Sequence, residues 1–360
     1  MNVLVTGAKG FIGSNLCEWL RPDVTLLTFE LGDRELRERL DAADFVYHLA
    51  GVMRPDNEEE FEEVNVGLTE RICEHLSGRK VPIVFTSSVQ AMLNNPYGRS
   101  KRRAENVLDE YAVQNGAPVL VYRLTNVFGK WAKPNYTSVV ATFCHNIARD
   151  LEIEISDPGR ELALIYIDDV ARSFLEDLDS TGSGLRYRHV EPHYHVTLGD
   201  LAGLIRSFHT MVKVPDLRGF TGKLYGTYVS YLDRFSYALD KKQDDRGFLA
   251  ELIKADSFGQ IFVSRTKPGV TRGGHFHRTK AEKFLVLEGR AVVRLRHLLD
   301  GRVVAIKVSG MDMRPIDIAP GYVHSIENVG TGDLITLFWA SEVFDPDNPD
   351  TYREPNVLRP

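Results

Sequence analysis

Cysteine is scarce and badly placed for bonding. Cys17, Cys73 and Cys144 are the only three, far apart and odd in number, so neither a disulfide framework nor a thiolate zinc site is indicated, and a reducing cytoplasm fits best. No apolar run approaches the roughly 18 residues of a membrane span, and the first residues enter an apolar strand without a charged leader. A cytoplasmic protein with no membrane partner is expected. Positive charge is not in surplus either: 44 Lys and Arg face 50 Asp and Glu, a net charge of −6. No global basic field exists to attract nucleic acid, so an anionic ligand needs a local site. Internal repeats and low-complexity stretches are missing. What remains is ordinary globular composition, 43% hydrophobic and 26% charged over 360 residues, enough for about two domains.

From Met1 to about Arg172 short apolar runs (Asn2 to Val5, Val24 to Phe29, Phe45 to Leu49, Ile83 to Thr86, Val119 to Tyr122) alternate with longer helical stretches. That alternation predicts a doubly wound α/β fold, a parallel sheet with helices on both faces and ligands at the carboxyl ends of its strands. From about Gly247 short alternating runs such as Phe284 to Leu287, Ala291 to Leu295 and Val303 to Val308 predict an antiparallel barrel or sandwich. The polar stretch Ala238 to Arg246 is the expected hinge, giving domains of 1–243 and 244–360. The tail from Asp345 to Pro360, rich in Pro and Asp, is expected to pack irregularly or fray.

The first strand leads into Thr6-Gly7-Ala8-Lys9-Gly10-Phe11-Ile12-Gly13 and then a helix. Glycines at 7, 10 and 13 permit a tight turn, close approach of a pyrophosphate and close packing of helix on strand, the pattern of a dinucleotide site. Glu30, ending the second strand, suits a ribose diol and disfavours a 2′-phosphate, whereas Arg34 and Arg37 just beyond could neutralise one. NADPH and NAD both remain open on these residues. Tyr97 and Lys101 share a helix face, so the ammonium can lower the phenol pKa and reach the nicotinamide ribose. Ser88, or Ser87 if the strand register slips by one, can hold a substrate carbonyl while Tyr97 supplies its proton.

These residues resemble the extended short-chain dehydrogenase/reductase family, whose Thr-Gly-x-x-Gly-x-x-Gly and Tyr-x-x-x-Lys motifs both stand here. The resemblance covers most of residues 1 to 240 and implies Ser88, Tyr97 and Lys101 as the catalytic trio. It implies Gly7, Gly10, Phe11, Ile12, Gly13, Glu30, Arg34 and Ala50 around the cofactor, with Tyr97 and Lys101, and NADP as that cofactor. Asn65 and the segments Arg123 to Gly129 and Tyr166 to Val170 line the sugar side in that family. Gln90, Arg123, Asn126, Lys133, Asn135 and Asp168 are therefore the expected substrate contacts. Val89-Gln90 replaces the acidic pair of 4,6-dehydratases and the cysteine of one-site epimerase-reductases, which argues against both chemistries at this site.

In the C-terminal part, His275 and His277 share one face of a strand, Glu282 lies across the next turn, and His324 follows Pro320-Gly321. Three imidazoles and a carboxylate form a borderline donor set suited to one divalent metal, zinc first among nickel, manganese and iron. The spacing resembles the cupin barrel: its first motif is complete, while the second is looser at Pro320-Gly321.

An extended reductase joined to a metal cupin resembles a family of capsule-polysaccharide enzymes, with Ala50 to Pro55, Asn94 to Gly98 and Trp131 to Tyr136 matching as well. That resemblance implies C3 epimerisation of a UDP-4-keto-6-deoxy-N-acetylhexosamine in the cupin. NADPH-dependent reduction at C4 in the reductase domain would follow, towards UDP-N-acetyl-L-fucosamine, in a homodimer formed through the cupin. His297, Lys283 and Tyr322 are level candidates for the epimerising base. Two other readings stand beside it: a 4-ketosugar reductase whose cupin only dimerises, and a non-enzymatic nucleotide-sugar sensor or scaffold.

Overall fold

The computed structural model describes residues 1–20, 22–209, 216–236, 242–244, 247–249, 259–342 and 347–354. Apart from the strand Lys242–Asp244, the expected hinge at 238–246 lies outside the described residues. The chain divides into two compact units that are interleaved in sequence. Met1–Ser138 and Glu161–Val196 form the first; Val139–Arg160 and Thr197–Pro360 form the second.

In the first unit, strands β1 (Asn2–Thr6), β2 (Thr25–Phe29), β3 (Phe45–His48), β4 (Ile83–Ser88) and β5 (Pro118–Leu124) lie parallel in one sheet. After β6 (Asn126–Phe128) and β7 (Glu161–Tyr166), β8 (Gly184–Arg188) completes it, in the order β2-β1-β3-β4-β5-β8. Helices cover both faces, and this explains why the strands read as unbroken apolar runs. Leu4, Val46, Ile83, Phe85, Val119 and Val121 pack into one core. Their neighbours Val3, Val5, Phe45, Tyr47, Val84, Leu120 and Tyr122 pack into the other. The winding reverses at β1, between β2 and β3, so the crevice beyond the carboxyl ends of β1 and β3 is the switch point where such sheets bind ligands.

Backbone crowding explains two of the glycines there. Gly7 has φ +71°, and a Cβ on it would stand 2.9 Å from the Ala50 Cα. A Cβ on Gly13, in helix α1 (Phe11–Trp19), would stand 2.1 Å from the Gly7 carbonyl oxygen. Because backbone atoms on both sides cannot yield cheaply, Gly13→Ala is expected to cost about 1–3 kcal/mol, the usual penalty of overpacking. A lowered urea midpoint at unchanged slope would register it.

The second unit holds helices Val139–Ile147, Leu198–His209 and Gly219–Val229, a two-stranded pair of Lys242–Asp244 with Gly247–Leu249, and two larger antiparallel sheets. One sheet orders its strands as Gln260–Thr266, Leu334–Ala340, Glu282–Glu288 and Pro315–Ile318. The other orders them as Val303–Ser309, Arg290–His297, Tyr322–Asn328, Thr271–Phe276 and Tyr352–Arg353. The expected tail is thus ordered where it is described, and its strand pairs with His275 and Phe276.

Candidate functional site

The glycine turn of the first unit is held by a buried network. The Thr69 hydroxyl donates to the Asn65 carbonyl at 2.8 Å, so it accepts from Nε2–H of His48 at 2.9 Å. That leaves Nδ1 of His48 to accept from the Thr6 hydroxyl at 3.0 Å, whose oxygen takes the N–H groups of Leu49 and Ala50 at 3.1 Å. Burial lowers the His48 pKa to about 3, with the Lys101 charge acting in the same sense, which keeps the ring neutral. Asn65 continues the chain: its amide grips the Val52 backbone and reaches the Ser100 hydroxyl, which donates to the Tyr97 carbonyl. His48 and Thr69 were not singled out in the sequence; a histidine closing a buried parallel strand is the signal that marks them.

Tyr97 opens the helix Pro96–Asn115, whose Asn95 side chain caps Gly98 N–H at 2.7 Å. The helix start seats tightly on the turn Val89–Met92, since a Cβ on Gly98 would lie 2.1 Å from the Gln90 carbonyl oxygen. This packing brings Ser88, at the end of β4, close enough to Tyr97 to lower its phenol pKa, while the Ser88 hydroxyl accepts the Gln90 N–H at 3.2 Å. Ser87 is spent elsewhere, donating to buried Glu105 at 2.5 Å. Lys101 is buried, donates to the Thr86 carbonyl at 3.0 Å and lies 4.8 Å from the centre of the Phe85 ring. The expected lowering of the phenol by Lys101 is not what this arrangement produces. The Lys101 Nζ is 6.0 Å from the Tyr97 ring centre, and burial, only partly offset by Ser88, pushes the phenol up to about 12. Tyr97 therefore keeps its proton throughout the physiological range.

Burial pushes the Lys101 ammonium down to about 8, against the opposing pull of Glu105. The sign follows directly: Lys101 is charged below that pH and neutral above it. If its charge assists turnover, kcat/KM for the reduced nicotinamide, which reports free-enzyme groups, is expected to fall above about pH 8 and approach tenfold per pH unit. A profile flat to pH 10 would contradict that role.

Of the expected cofactor contacts, Gly7, Gly10, Phe11, Ile12, Gly13 and Ala50 cluster around the turn. The Glu30 carboxylate joins them by accepting the Lys9 N–H at 2.7 Å. Arg34 and Arg37 line a cavity at the end of β2 with Asp33, Arg71, Glu74 and His75. Among the expected sugar contacts, Gln90 sits in the turn directly after Ser88. Asn126, Lys133 and Asn135 are exposed, with Lys133 Nζ 5.1 Å from the Tyr136 ring centre. Two of the expected sugar contacts have ionic partners of their own. Arg123 is committed to Glu105, at 3.0 and 2.6 Å, because that buried carboxylate needs a cation. Asp168 is wholly buried and takes Lys130 Nζ at 2.6 Å and Trp19 Nε1 at 2.8 Å.

In the second unit the two sheets bring the four expected ligands together. His275 and His324 are direct cross-strand partners, with the strand bulging between Gly273 and His275. Glu282 enters from the facing sheet. One donor atom from each of His275, His277, Glu282 and His324 lies within 4.8 Å of every other. The Glu282 Oε2 stands 3.3 Å from Nε2 of His277 and 3.1 Å from Nε2 of His324. Alignment is too poor for hydrogen bonds, so these three buried atoms have no hydrogen-bond partner. Orphaned donors aimed at one another are costly unless a cation completes them. Nδ1 of His277 is bonded to the Asp350 carbonyl, which fixes the proton there and turns the Nε2 lone pair inward. The residues therefore fit a divalent metal. Burial would raise the Glu282 carboxyl, but His277 and His324 outweigh it and hold it well below the usual carboxylate range. Burial and the two neighbouring histidines push His275 down to about 4.

The three candidate bases separate by strand geometry. Lys283 alternates with Glu282 along its strand and is paired with buried Asp317, so it faces away from the cluster. His297 and Tyr322 are direct partners, two pairs along from Leu295 and His324, and so share the cluster's sheet face. His297 has a carboxylate, Asp300, 3.0 Å from Nδ1.

A glycine turn at the switch point of a parallel sheet, with a serine, tyrosine and lysine beside it, defines a nicotinamide-dependent protein. The chain belongs to the NAD dependent epimerase/dehydratase family, which matches residues 3–191; residues 242–352 match the Polysaccharide biosynthesis C-terminal domain. It is 44% identical, over 98% of both chains, to the UDP-2-acetamido-2,6-beta-L-arabino-hexul-4-ose reductase of Pseudomonas aeruginosa. The crystal structure of the capsular polysaccharide assembling protein CapF of Staphylococcus aureus is similar. It has 42% identity and a TM-score of 0.66, covering 98% of this chain and 99% of that one. The spore coat polysaccharide biosynthesis protein SpsL of Bacillus subtilis is 30% identical over 127 residues, 32% of this chain and 84% of its own. No helix among the described residues is long and apolar enough to cross a membrane.

Proposed function

We propose that the chain makes a precursor of a surface polysaccharide in two steps, C3 epimerisation of a UDP-4-keto-6-deoxy-N-acetylhexosamine followed by NADPH-dependent reduction at C4. The product is UDP-N-acetyl-L-fucosamine. The observation that carries this reading is the convergence of three imidazoles and a carboxylate inside the second unit, which reduction alone does not need. The printed activity of the Pseudomonas relative supports the reduction.

The C3 proton is acidic because C4 is a ketone. A divalent cation held by His275, His277, Glu282 and His324, zinc by its donor preference, would supply a Lewis acid for the carbonyl oxygen. His297, with the Asp300 carboxylate 3.0 Å from its Nδ1, takes the proton from C3, and a proton delivered from solvent to the opposite face of the enolate inverts the centre. Epimerisation alone stops at equilibrium. The nicotinamide, when bound in the first unit, supplies the hydride for C4. There Ser88 holds the ketone oxygen, Tyr97 gives it the proton, and Lys101 holds the ribose and keeps the site cationic.

Glu30 is occupied by the Lys9 N–H, while Arg34, Arg37 and Arg71 line the cavity beyond β2, which supports NADPH. Steady-state kinetics should give at least about tenfold higher kcat/KM with NADPH than with NADH, reduced by Arg34→Ala; roughly one charged contact is worth that much. The whole reading is tested by incubating protein and UDP-4-keto sugar in D₂O, with and without NADPH. Deuterium should enter C3 in both cases and the C4 alcohol appear only with NADPH. Reduction without any C3 exchange would leave a reductase alone.

A further inference from the structure

The segment Asp347–Glu354 crosses the strand that carries His275 and leads to His277. Tyr352 and Arg353 pair with Phe276 and His275, and the Glu354 N–H donates to the Gly274 carbonyl at 3.1 Å. The Tyr352 ring stacks on Phe276, centres 5.4 Å apart, and the Arg278 guanidinium lies over the Tyr352 ring, 4.2 Å from its centre. Glu354 pairs with Arg296 on another strand of the same sheet.

At the centre of this strap stands Asp350. Its carboxylate accepts three consecutive backbone N–H groups, Arg278 at 2.8 Å, Thr279 at 2.9 Å and Lys280 at 2.8 Å, and the Thr279 hydroxyl at 2.9 Å. Its own carbonyl oxygen takes Nδ1–H of His277. One residue thus fixes the turn between His277 and Glu282 and the tautomer of His277. We infer that Asp350 is a positioning residue for the metal site, and that the C-terminal strap sets how tightly the metal is held.

Two consequences follow from the bonding. Removing the carboxylate frees three N–H groups of the turn and unties from it the chain segment whose Asp350 carbonyl orients the His277 ring, so donors that now converge would have to be ordered by the metal itself. Partners that orient a metal-ligating imidazole are typically worth about 10–100-fold in affinity. The inference rests on the reading that the cluster holds a metal.

The test is chelator competition with zinc, and with cobalt for its ligand-field spectrum, on the full-length wild type and Asp350→Ala. Cofactor affinity of the first unit is measured on the same samples as a folding control. The variant is expected to bind 10–100-fold more weakly, with an altered cobalt spectrum and unchanged cofactor affinity. Equal metal affinity in the two proteins would overturn the role of Asp350. Absence of metal binding by the wild type would instead overturn the reading beneath it. If Asp350→Ala does not fold, Asp350→Asn, which keeps the size and one acceptor oxygen, is judged by the same comparison: an intermediate loss supports the role and no loss overturns it.

Discussion

Tyr97→Phe is expected to lower NADPH oxidation by at least about 10²-fold, the lower range of what a positioned proton donor supplies, while deuterium exchange at C3 continues at the wild-type rate. The reasoning is local. Tyr97 contacts Ser88 and keeps its proton because burial pushes the phenol up to about 12. Removing its oxygen leaves the C4 alkoxide without a donor but leaves the ring's packing against Phe61, centres 5.8 Å apart, in place. Nothing in the His275, His277, Glu282 and His324 cluster depends on that hydroxyl. Loss of both activities in one variant, with the fold intact by circular dichroism, would contradict two separate sites.

The second large effect concerns the cluster itself. His275→Ala is expected to remove bound metal, from about one per chain to a small residue by elemental analysis, and with it C3 exchange. His275 is the variant of choice because it is only partly buried, whereas His277, Glu282 and His324 are buried. Truncating it leaves little cavity and keeps the facing strands apart from strain. Retained metal would mean that the remaining three donors suffice, and retained exchange without metal would remove the Lewis acid from the mechanism. NADPH oxidation with a substrate already inverted at C3 should be unaffected.

Much of this was legible in the residues, for identifiable reasons. The parallel strands could be read because both faces are buried, so Leu4 and Val5 are equally apolar though they enter different cores. The glycine turn could be read because backbone crowding at Gly13 admits no side chain. The metal-type cluster could be read because His275 and His277 are two apart and a strand's period is two. What could not be read depended on partners far away in sequence. Arg123 and Asp168 carry the charge expected of substrate contacts, but Glu105 and Lys130 claim them, and no local pattern announces a buried counter-ion. The interleaving of the two units has the same origin, since Val139–Arg160 leaves the parallel sheet and joins the second unit. Asp350 was hidden in a tail that reads as irregular, and its meaning comes only from the three N–H groups it caps.

The most direct measurement of the central claim is complementation. Tyr97→Phe and His275→Ala proteins are mixed with the UDP-4-keto sugar and NADPH, and the C4 alcohol with inverted C3 is followed by NMR. The account predicts that neither protein alone makes this product and that the mixture does, because the ketone inverted by one chain can leave and be reduced by the other. A mixture as inactive as its components, each still competent in its own half-reaction, would contradict it.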